Sequence, residues 1–173
     1  MTTLVLTAIG NDQSGLVNAL ARVIADNGGS WDESRMGQLA GKFAGIVQVS
    51  VPDTRADELI TALQPLSEQG LLDITVTRAE DAEPEAGERQ LALNLVGQDR
   101  PGIIEEISQT LADLNVTIKE LETSTANAPM AGGMLFEASA LLGVPAGVAD
   151  DQLKSVLEQL ANELMVDLDL TVA

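Results

Sequence analysis

Two short glycine-containing segments carry the residues best suited to bind a small molecule. Residues 9–17 read IGNDQSGLV, and residues 96–104, which lie 87 positions further along the chain, read VGQDRPGII. Each segment follows an alternating, strand-like run and opens an amphipathic, helix-like run. A strand that turns through a glycine into a helix leaves backbone N–H groups without partners at the helix start, and these groups favour an anion such as a carboxylate. The sequence therefore predicts a duplicated module that binds a small ligand.

Missing residue types exclude several kinds of chemistry. The chain has no His, Cys or Tyr, which rules out Ser-His-Asp and Cys-His catalysis, zinc fingers and iron–sulfur ligation. Ser, Lys and carboxylates remain, but no pattern pairs a nucleophile with a base, so we expect no enzyme, no catalytic residue and no cofactor. The acidic pairs Glu105-Glu106 and Asp150-Asp151 are interpreted as acids at helix starts, and no metal site is expected.

The charge of the chain bears on its partners. A formal net charge of −18 opposes direct binding to nucleic acid, which depends on basic residues that neutralise phosphates. Phe43 and Phe136 fall at matched positions, as base-stacking residues do in RNA-recognition domains, but basic residues are too scarce for RNA binding to be expected. Any effect on a nucleic acid would then pass through a protein partner.

The location of the protein is predicted from three absences in the sequence. No apolar run approaches the roughly 18–20 residues needed to cross a bilayer, and the first residues lack the pattern of a signal peptide. The absence of cysteine also excludes a disulfide framework. Together these features favour a cytoplasmic protein with no membrane contact.

The same order of periodic segments occurs in both halves. The first half predicts strand 3–9, helix 14–27, strand 30–39, strand 42–51, helix 55–68 and strand 71–78. The second half predicts strand 90–97, helix 102–114, strand 116–126, strand 133–143, helix 150–163 and strand 165–172. A βαββαβ order with one apolar face per helix predicts an α+β fold. We expect two ferredoxin-like units, each a four-stranded antiparallel sheet with two helices on one face.

The composition also predicts domain limits. We expect domain 1 over residues 1–79, an acidic linker over 80–89 and domain 2 over 90–173, because the middle stretch contains Pro and Gly and lacks large apolar residues. The second half carries extra residues in a hairpin loop at 126–133. This loop is either a passive connection or a lid or partner contact.

The two turns resemble those of a known family. Asp99-Arg100-Pro101-Gly102-Ile103, and its variant Asp12-Gln13-Ser14-Gly15-Leu16, are similar to the turn after the first strand of ACT domains, small regulatory modules that sense amino acids. A chain with two such domains resembles the glycine cleavage system transcriptional repressor group. The resemblance implies a non-enzymatic regulator that binds a small amino acid, glycine or serine first, at ACT-domain interfaces. It would modulate transcriptional control of glycine metabolism through a protein partner such as a transcription factor.

We expect a homodimer, and the alternative function is a dimerisation or adaptor module with no ligand sensing. The resemblance implies that the ligand contacts the two loops, whose residues are Asn11, Asp12, Gln13, Ser14, Gly15, Leu16, Gln98, Asp99, Arg100, Pro101, Gly102 and Ile103.

Several of these loop residues have a structural alternative. Asp12 and Asp99 either cap their helices or accept a hydrogen bond from a ligand ammonium group. Pro101 is expected in the first turn of a helix, where its fixed φ fits. Arg100 either binds a carboxylate or is an ordinary solvated cation. Trp31 is expected to pack in a core or an interface.

Overall fold

The computed structural model describes residues 1–80, 83–130 and 132–173. The chain divides into two compact units, Met1–Ala82 and Glu83–Ala173, and within the described residues each unit has four strands and two α-helices. The elements of the first unit are β1 (Thr2–Asn11), α1 (Leu16–Asp26), β2 (Ser30–Leu39), β3 (Lys42–Val51), α2 (Ala56–Glu68) and β4 (Asp73–Arg78). Those of the second are β5 (Arg89–Gln98), α3 (Ile103–Asp113), β6 (Thr117–Asn127), β7 (Met134–Val144), α4 (Asp150–Leu164) and β8 (Val166–Val172).

Both sheets are antiparallel and have the same strand order. The described strands form two four-stranded sheets, β2-β3-β1-β4 in the first unit and β6-β7-β5-β8 in the second. The first strand of each unit therefore lies inside its sheet, and the second strand lies at an edge. This arrangement confirms the predicted α+β fold of two ferredoxin-like units.

One face of each sheet is buried beneath the helices, because side chains alternate between the faces of a strand. Leu4 and Leu6 of β1 are fully buried, whereas Thr7 and Ile9 are exposed. In each unit both helices contribute to a single core with this buried face. The first core includes Leu4, Leu6, Leu20, Leu59 and Leu63, and the second includes Leu91, Leu93, Ile107, Leu111 and Leu153.

The opposite face of each sheet is mixed in polarity, as the alternation predicts. In the first unit Ile46 and Gln48 of β3 are exposed on it, and in the second unit Glu137 and Ser139 of β7 are exposed. In β8, more buried and exposed residues alternate as far as Leu170, but Val172 at its end is 82% exposed.

The helix and strand limits differ from the prediction at a few ends. α1 begins at Leu16 rather than at 14, and β4 begins at Asp73 rather than at 71. The later start of β4 has a local cause, since the N–H groups of Leu71 and Leu72 both donate to the Leu66 carbonyl at the end of α2. Over the described residues, none of the helices has the length and apolar character needed to cross a membrane.

Trp31, the single tryptophan of the chain, lies on the edge strand β2. Its side chain is half-buried and packs against the core of the first unit, in agreement with the predicted core packing. Ile118 occupies the matched position on β6 and is 37% exposed.

Two predicted connecting segments fall partly outside the described residues. In the acidic stretch 80–89, residues 81 and 82 lie outside them, and Arg89 already belongs to β5. The guanidinium of Arg89 donates to the Asp150 carboxylate at 2.7 Å. In the hairpin loop 126–133, residue 131 lies outside, and the Ala128 N–H donates to the Gly133 carbonyl at 3.0 Å. The domain limits and the role of the hairpin loop stay predictions.

Replacing Leu20 with Ala is expected to destabilise the first unit strongly. Leu20 is fully buried on α1, so the change removes apolar contacts and leaves a cavity, which costs about 2–5 kcal/mol in unfolding free energy. The measurement is equilibrium urea unfolding. Val17→Ala on the same helix is the control, since Val17 is 46% exposed and its loss should cost less than about 1 kcal/mol. Equal losses for the two variants would contradict the described packing of α1.

Candidate functional site

Each candidate loop follows the first strand of its unit and is tied to the neighbouring hairpin. Asn11 at the end of β1 pairs with Lys42, and the next residue, Asp12, donates its N–H to the Gly41 carbonyl at 2.9 Å. In the second unit Asp99 donates its N–H to the Met134 carbonyl at 2.8 Å. The predicted residues of each loop are therefore brought together at the same corner of each sheet.

A glycine just before each loop is required by a close approach of the chain. A Cβ atom on Gly10 would collide with the carbonyl oxygen of Leu71, and a Cβ on Gly97 would collide with the Val166 side chain. The end of β1 thus packs tightly against Leu71, which precedes β4, and the end of β5 packs tightly against Val166, the first residue of β8. This contact holds the loop in a fixed place relative to the sheet.

A glycine in the left-handed conformation forms the N-cap of each helix. Gly15 has φ 90° and ψ 0°, and Gly102 has φ 92° and ψ 0°, a region that L-residues with a Cβ rarely adopt. Nothing lies within 4 Å of a Cβ built on Gly15, so the backbone conformation alone makes glycine the fitting residue there. The chain turns from strand to helix at this residue.

Of the two roles considered for Asp12 and Asp99, helix capping is wrong. No side chain caps either helix, because the N-cap is Gly15 or Gly102 and the aspartates lie three residues earlier in the chain. The expected place of Pro101 in the first helical turn is also wrong, since α3 begins at Ile103 after the Gly102 cap. In the first loop the helix begins after Gly15 and not near Asp12. In the second loop it begins after Gly102 and not at Pro101.

The helix starts present backbone N–H groups to the loop. In α1 the Ala19 N–H donates to the Gly15 carbonyl at 2.9 Å, and in α3 the Glu106 N–H donates to the Gly102 carbonyl at 3.0 Å. Amide groups ahead of these donors have no acceptor inside the helix, which makes each start attractive to an anion. Leu16 and Ile103 are core residues, 4% and 2% exposed, so their side chains are not available to a ligand. The predicted polar side chains at positions 11–14 and 98–100 are exposed.

The two loops differ in electrostatic character. The first turn of α1 contains no acidic residue, whereas that of α3 contains Glu105 and Glu106. Carboxylates so close to the amide groups of α3 repel a bound anion and take up part of the favourable dipole interaction. The start of α1 is therefore the more favourable of the two for an anion.

Each loop has one nearby cation with a partner. Lys42 donates from Nζ to the Asn11 Oδ1 at 2.5 Å, and Arg100 Nη2 lies 3.4 Å from Glu106 Oε1. Both members of the Arg100–Glu106 pair are exposed, so solvent screens the interaction and it stabilises the loop only slightly. An incoming carboxylate would have to compete with Glu106 for Arg100.

The first loop borders a surface depression of about 430 Å³, a volume that includes open solvent. Its lining consists of Asp12, Gln13, Gly15, Leu16, Val17, Asn18 and Phe43. Val17, Asn18 and Phe43 were not among the predicted ligand residues. Phe43 could have been found from the predicted hairpin, because the end of β1 pairs with the start of β3 and sets Phe43 opposite Gly10.

The chemistry available at this corner is recognition of a small zwitterion. Amide donors at the helix start suit a carboxylate, and the exposed carboxylate of Asp12 can accept from an ammonium group. Among the described residues, no group of three or more His, Cys, Asp or Glu side chains is placed to hold a metal ion.

The chain is similar to a known protein family and to several solved structures. The chain matches a family model described as ACT domain over residues 2–77 and again over 89–171. It is similar to a crystal structure of an unknown protein from Galdieria sulphuraria, with 29% identity and a TM-score of 0.88 over 99% of this chain and 98% of that one. It shares the fold of a candidate glycine cleavage system transcriptional repressor, with 21% identity and a TM-score of 0.74 over 99% of this chain and 97% of that one. No curated protein is significantly similar to it in sequence.

Gly102→Ala is expected to lower the unfolding free energy by about 1–2 kcal/mol, because alanine at φ 92° is strained even where space is available. Asp99→Ala should change it by less than about 0.5 kcal/mol, since Asp99 caps no helix. Equilibrium urea unfolding of the two variants tests both statements. A loss of about 1 kcal/mol or more in Asp99→Ala would restore the capping interpretation.

Proposed function

The chain belongs to the ACT domain family, and we propose that it is a non-enzymatic regulatory protein that binds a small amino acid. Through contact with a protein partner such as a transcription factor, it modulates transcriptional control of glycine metabolism. The family match supports the regulatory role, and the shared fold with a candidate glycine cleavage repressor is consistent with the process regulated. The net charge of −18 favours a protein partner over direct contact with nucleic acid. The protein is cytoplasmic and needs no cofactor in this proposal.

The observation that carries the proposal is the corner formed by the end of β1, the left-handed Gly15 and the start of α1. The ligand carboxylate lies at the amide groups of α1, where no acidic residue of the first turn competes with it. The ligand ammonium group lies toward Asp12, whose carboxylate is exposed in the same depression. Phe43 borders the space left for the ligand side chain, and glycine and serine are the ligands proposed first.

The two loops bind with different strength in this proposal. The loop of residues 98–103 ends at a helix that carries Glu105 and Glu106, and Arg100 is already within ion-pair distance of Glu106. Both features weaken the attraction for a carboxylate. The loop of residues 11–16 is therefore the principal site, and the loop of residues 98–103 is the weaker one.

An adaptor without ligand sensing is the second candidate function. It is favoured by the exposed edge strands β2 and β6, which offer backbone groups to another chain. The two candidates differ in one measurable property, because an adaptor is indifferent to amino acids.

Calorimetric titration with a panel of amino acids tests the proposal. We expect glycine or serine to release or absorb heat on binding and to raise the melting temperature, because a ligand bound only by the folded state stabilises it. If no common amino acid at millimolar concentration binds or shifts the melting temperature, the sensing role is wrong and the adaptor function replaces it.

The Asn18→Glu variant locates the principal site. Position 18 matches Glu105, so the change gives the first turn of α1 an acid like that of α3. A carboxylate there should weaken amino-acid binding by about two- to fivefold, the effect expected of a charge at a helix terminus. Gln64→Glu on α2 adds the same charge at an exposed position outside the depression and should leave the dissociation constant unchanged. Equal affinity in Asn18→Glu and the native protein would place the site elsewhere.

A further inference from the structure

The second sheet has one face beneath its helices and one open face, and its two outer strands are acidic on the open face. β6 contributes Glu120 and Glu122 to that face, and β8 contributes Asp167 and Asp169. Each of these acids pairs with an open-face residue of the neighbouring inner strand, and residues that pair directly share a face. All four are exposed. They form two acidic rims along opposite edges of the open face.

The inner strands β5 and β7 form a floor between the acidic rims, and this floor is uncharged except at Glu137. Asn94 and Ser139 lie opposite each other on it, and the Ser139 hydroxyl donates to Asn94 Oδ1 at 3.0 Å. A depression of about 610 Å³, a volume that includes open solvent, lies beside Glu122 on this face. The uncharged floor residues are Ala92, Asn94, Val96, Ser139 and Leu141.

The first sheet lacks this charge pattern, although the strand pairing of the two units corresponds residue by residue. Arg35 on β2 stands at the position of Glu122, and Thr75 on β4 stands at the position of Asp169. One acid of each rim is therefore missing from the first unit, while both edge strands bulge at the same place. The acidic rims belong to the second unit alone.

We propose that the open face of the second sheet docks an amphipathic α-helix of a protein partner, with apolar side chains on the floor and Lys or Arg side chains at both acidic rims. The dimensions agree with this occupant. Three strand spacings set the outer strands about 14 Å apart, and a helix with its side chains is about 10–12 Å across. Along the strands the acids extend over about 13 Å, the length of about two and a half helical turns.

A helix fits this face better than an extended segment does. The backbone groups of a sheet point toward neighbouring strands within the sheet, so an extended segment on the face finds no partners for its own N–H and C=O groups. A helix satisfies its backbone internally and presents only side chains to the floor. Its apolar stripe then meets the floor, and its basic flanks meet the acidic rims.

The charge of the chain disfavours a second copy as the occupant. Among the described α-helices, α1 and α4 have one basic residue each, Arg22 and Lys154, and α2 and α3 have none. None of these helices can supply cations to both acidic rims. A DNA-binding regulator, in contrast, needs basic side chains to neutralise phosphates, so its helices can have the required charge.

This docking surface is the contact for the protein partner of the proposed function, and it rests on that part of the proposal. It makes no use of the amino-acid site, because the residues of the acidic rims do not line the depression beside the first loop. Partner docking and amino-acid binding are therefore measured separately, and either can fail while the other holds.

Titration with a defined peptide tests the docking surface. The probe is a labelled synthetic peptide of about five helical turns, with leucines along one stripe and lysines on both flanks. In one comparison peptide glutamates replace the lysines, and in another serines replace the leucines. Fluorescence anisotropy without amino acids measures the dissociation constants. We expect the first peptide to bind the protein more tightly than either comparison peptide, and its affinity should fall as added salt screens the charges.

A double variant locates the contact at the acidic rims. Glu122→Gln with Asp169→Asn removes one acid from each rim and should raise the dissociation constant about three- to tenfold, because two exposed ion pairs are lost. Asp151→Asn with Glu163→Gln is the matched control, since it makes the same change in net charge at exposed positions of α4, on the other face of the sheet. The control should change the dissociation constant by less than about twofold, because salt screens charges at that distance.

Circular dichroism confirms that each variant is folded. The proposal is overturned if the native protein does not bind the first peptide, or if the serine-containing peptide binds equally well through charge alone. It is also overturned if the control pair weakens binding as much as the rim pair does. A change of oligomeric state in the rim variants, measured by sedimentation equilibrium, would make a second copy the occupant and overturn it as well.

Discussion

Burial of alternate residues of the first strand beneath two helices is the constraint on which each unit depends. Leu4 and Leu6 have no exposure at all, so β1 can neither slide by one residue nor turn over without moving its apolar side chains into water. With that register fixed, β1 ends at Asn11 beside the β2–β3 hairpin, and Gly10 closes against Leu71. The strand end, the left-handed glycine and the helix start then follow within five residues. The position of the loop is a consequence of how the core packs.

Duplication gave two units with the same skeleton and different surfaces. The cores, the left-handed glycines and the edge bulges recur at matched positions, whereas the differences lie on exposed side chains. Acids stand in the first turn of α3 but not of α1, and an acid on β6 replaces Arg35 of β2. Exposed positions tolerate such changes because they cost little stability. In this way one fold can present two helix starts and two edges with distinct electrostatic properties.

Much of the fold was predictable from the sequence, because periodicity reports which side chains are buried. The strict alternation in β4 and the helical spacing of Leu16, Leu20 and Ile24 survive in the structure. The helix starts were harder to predict, since Asp12 and Pro101 are residues that commonly begin a helix. In both loops a glycine with positive φ precedes the helix and delays its start. Glycine adopts positive and negative φ about equally, so its presence in the sequence does not reveal which of the two the chain takes. The part that Phe43 plays at the first loop depends on strand pairing, which a local pattern does not specify.

Because Trp31 lies in the first unit, tryptophan fluorescence can distinguish the unfolding of that unit from the unfolding of the second. The chain has one tryptophan and no tyrosine, and that indole packs against the core of the first unit. Indole emission during unfolding therefore follows the first unit alone, while far-ultraviolet circular dichroism follows the helices and strands of both. Any separation between the two transitions measures how independently the duplicated halves unfold, without a label or an added fluorophore.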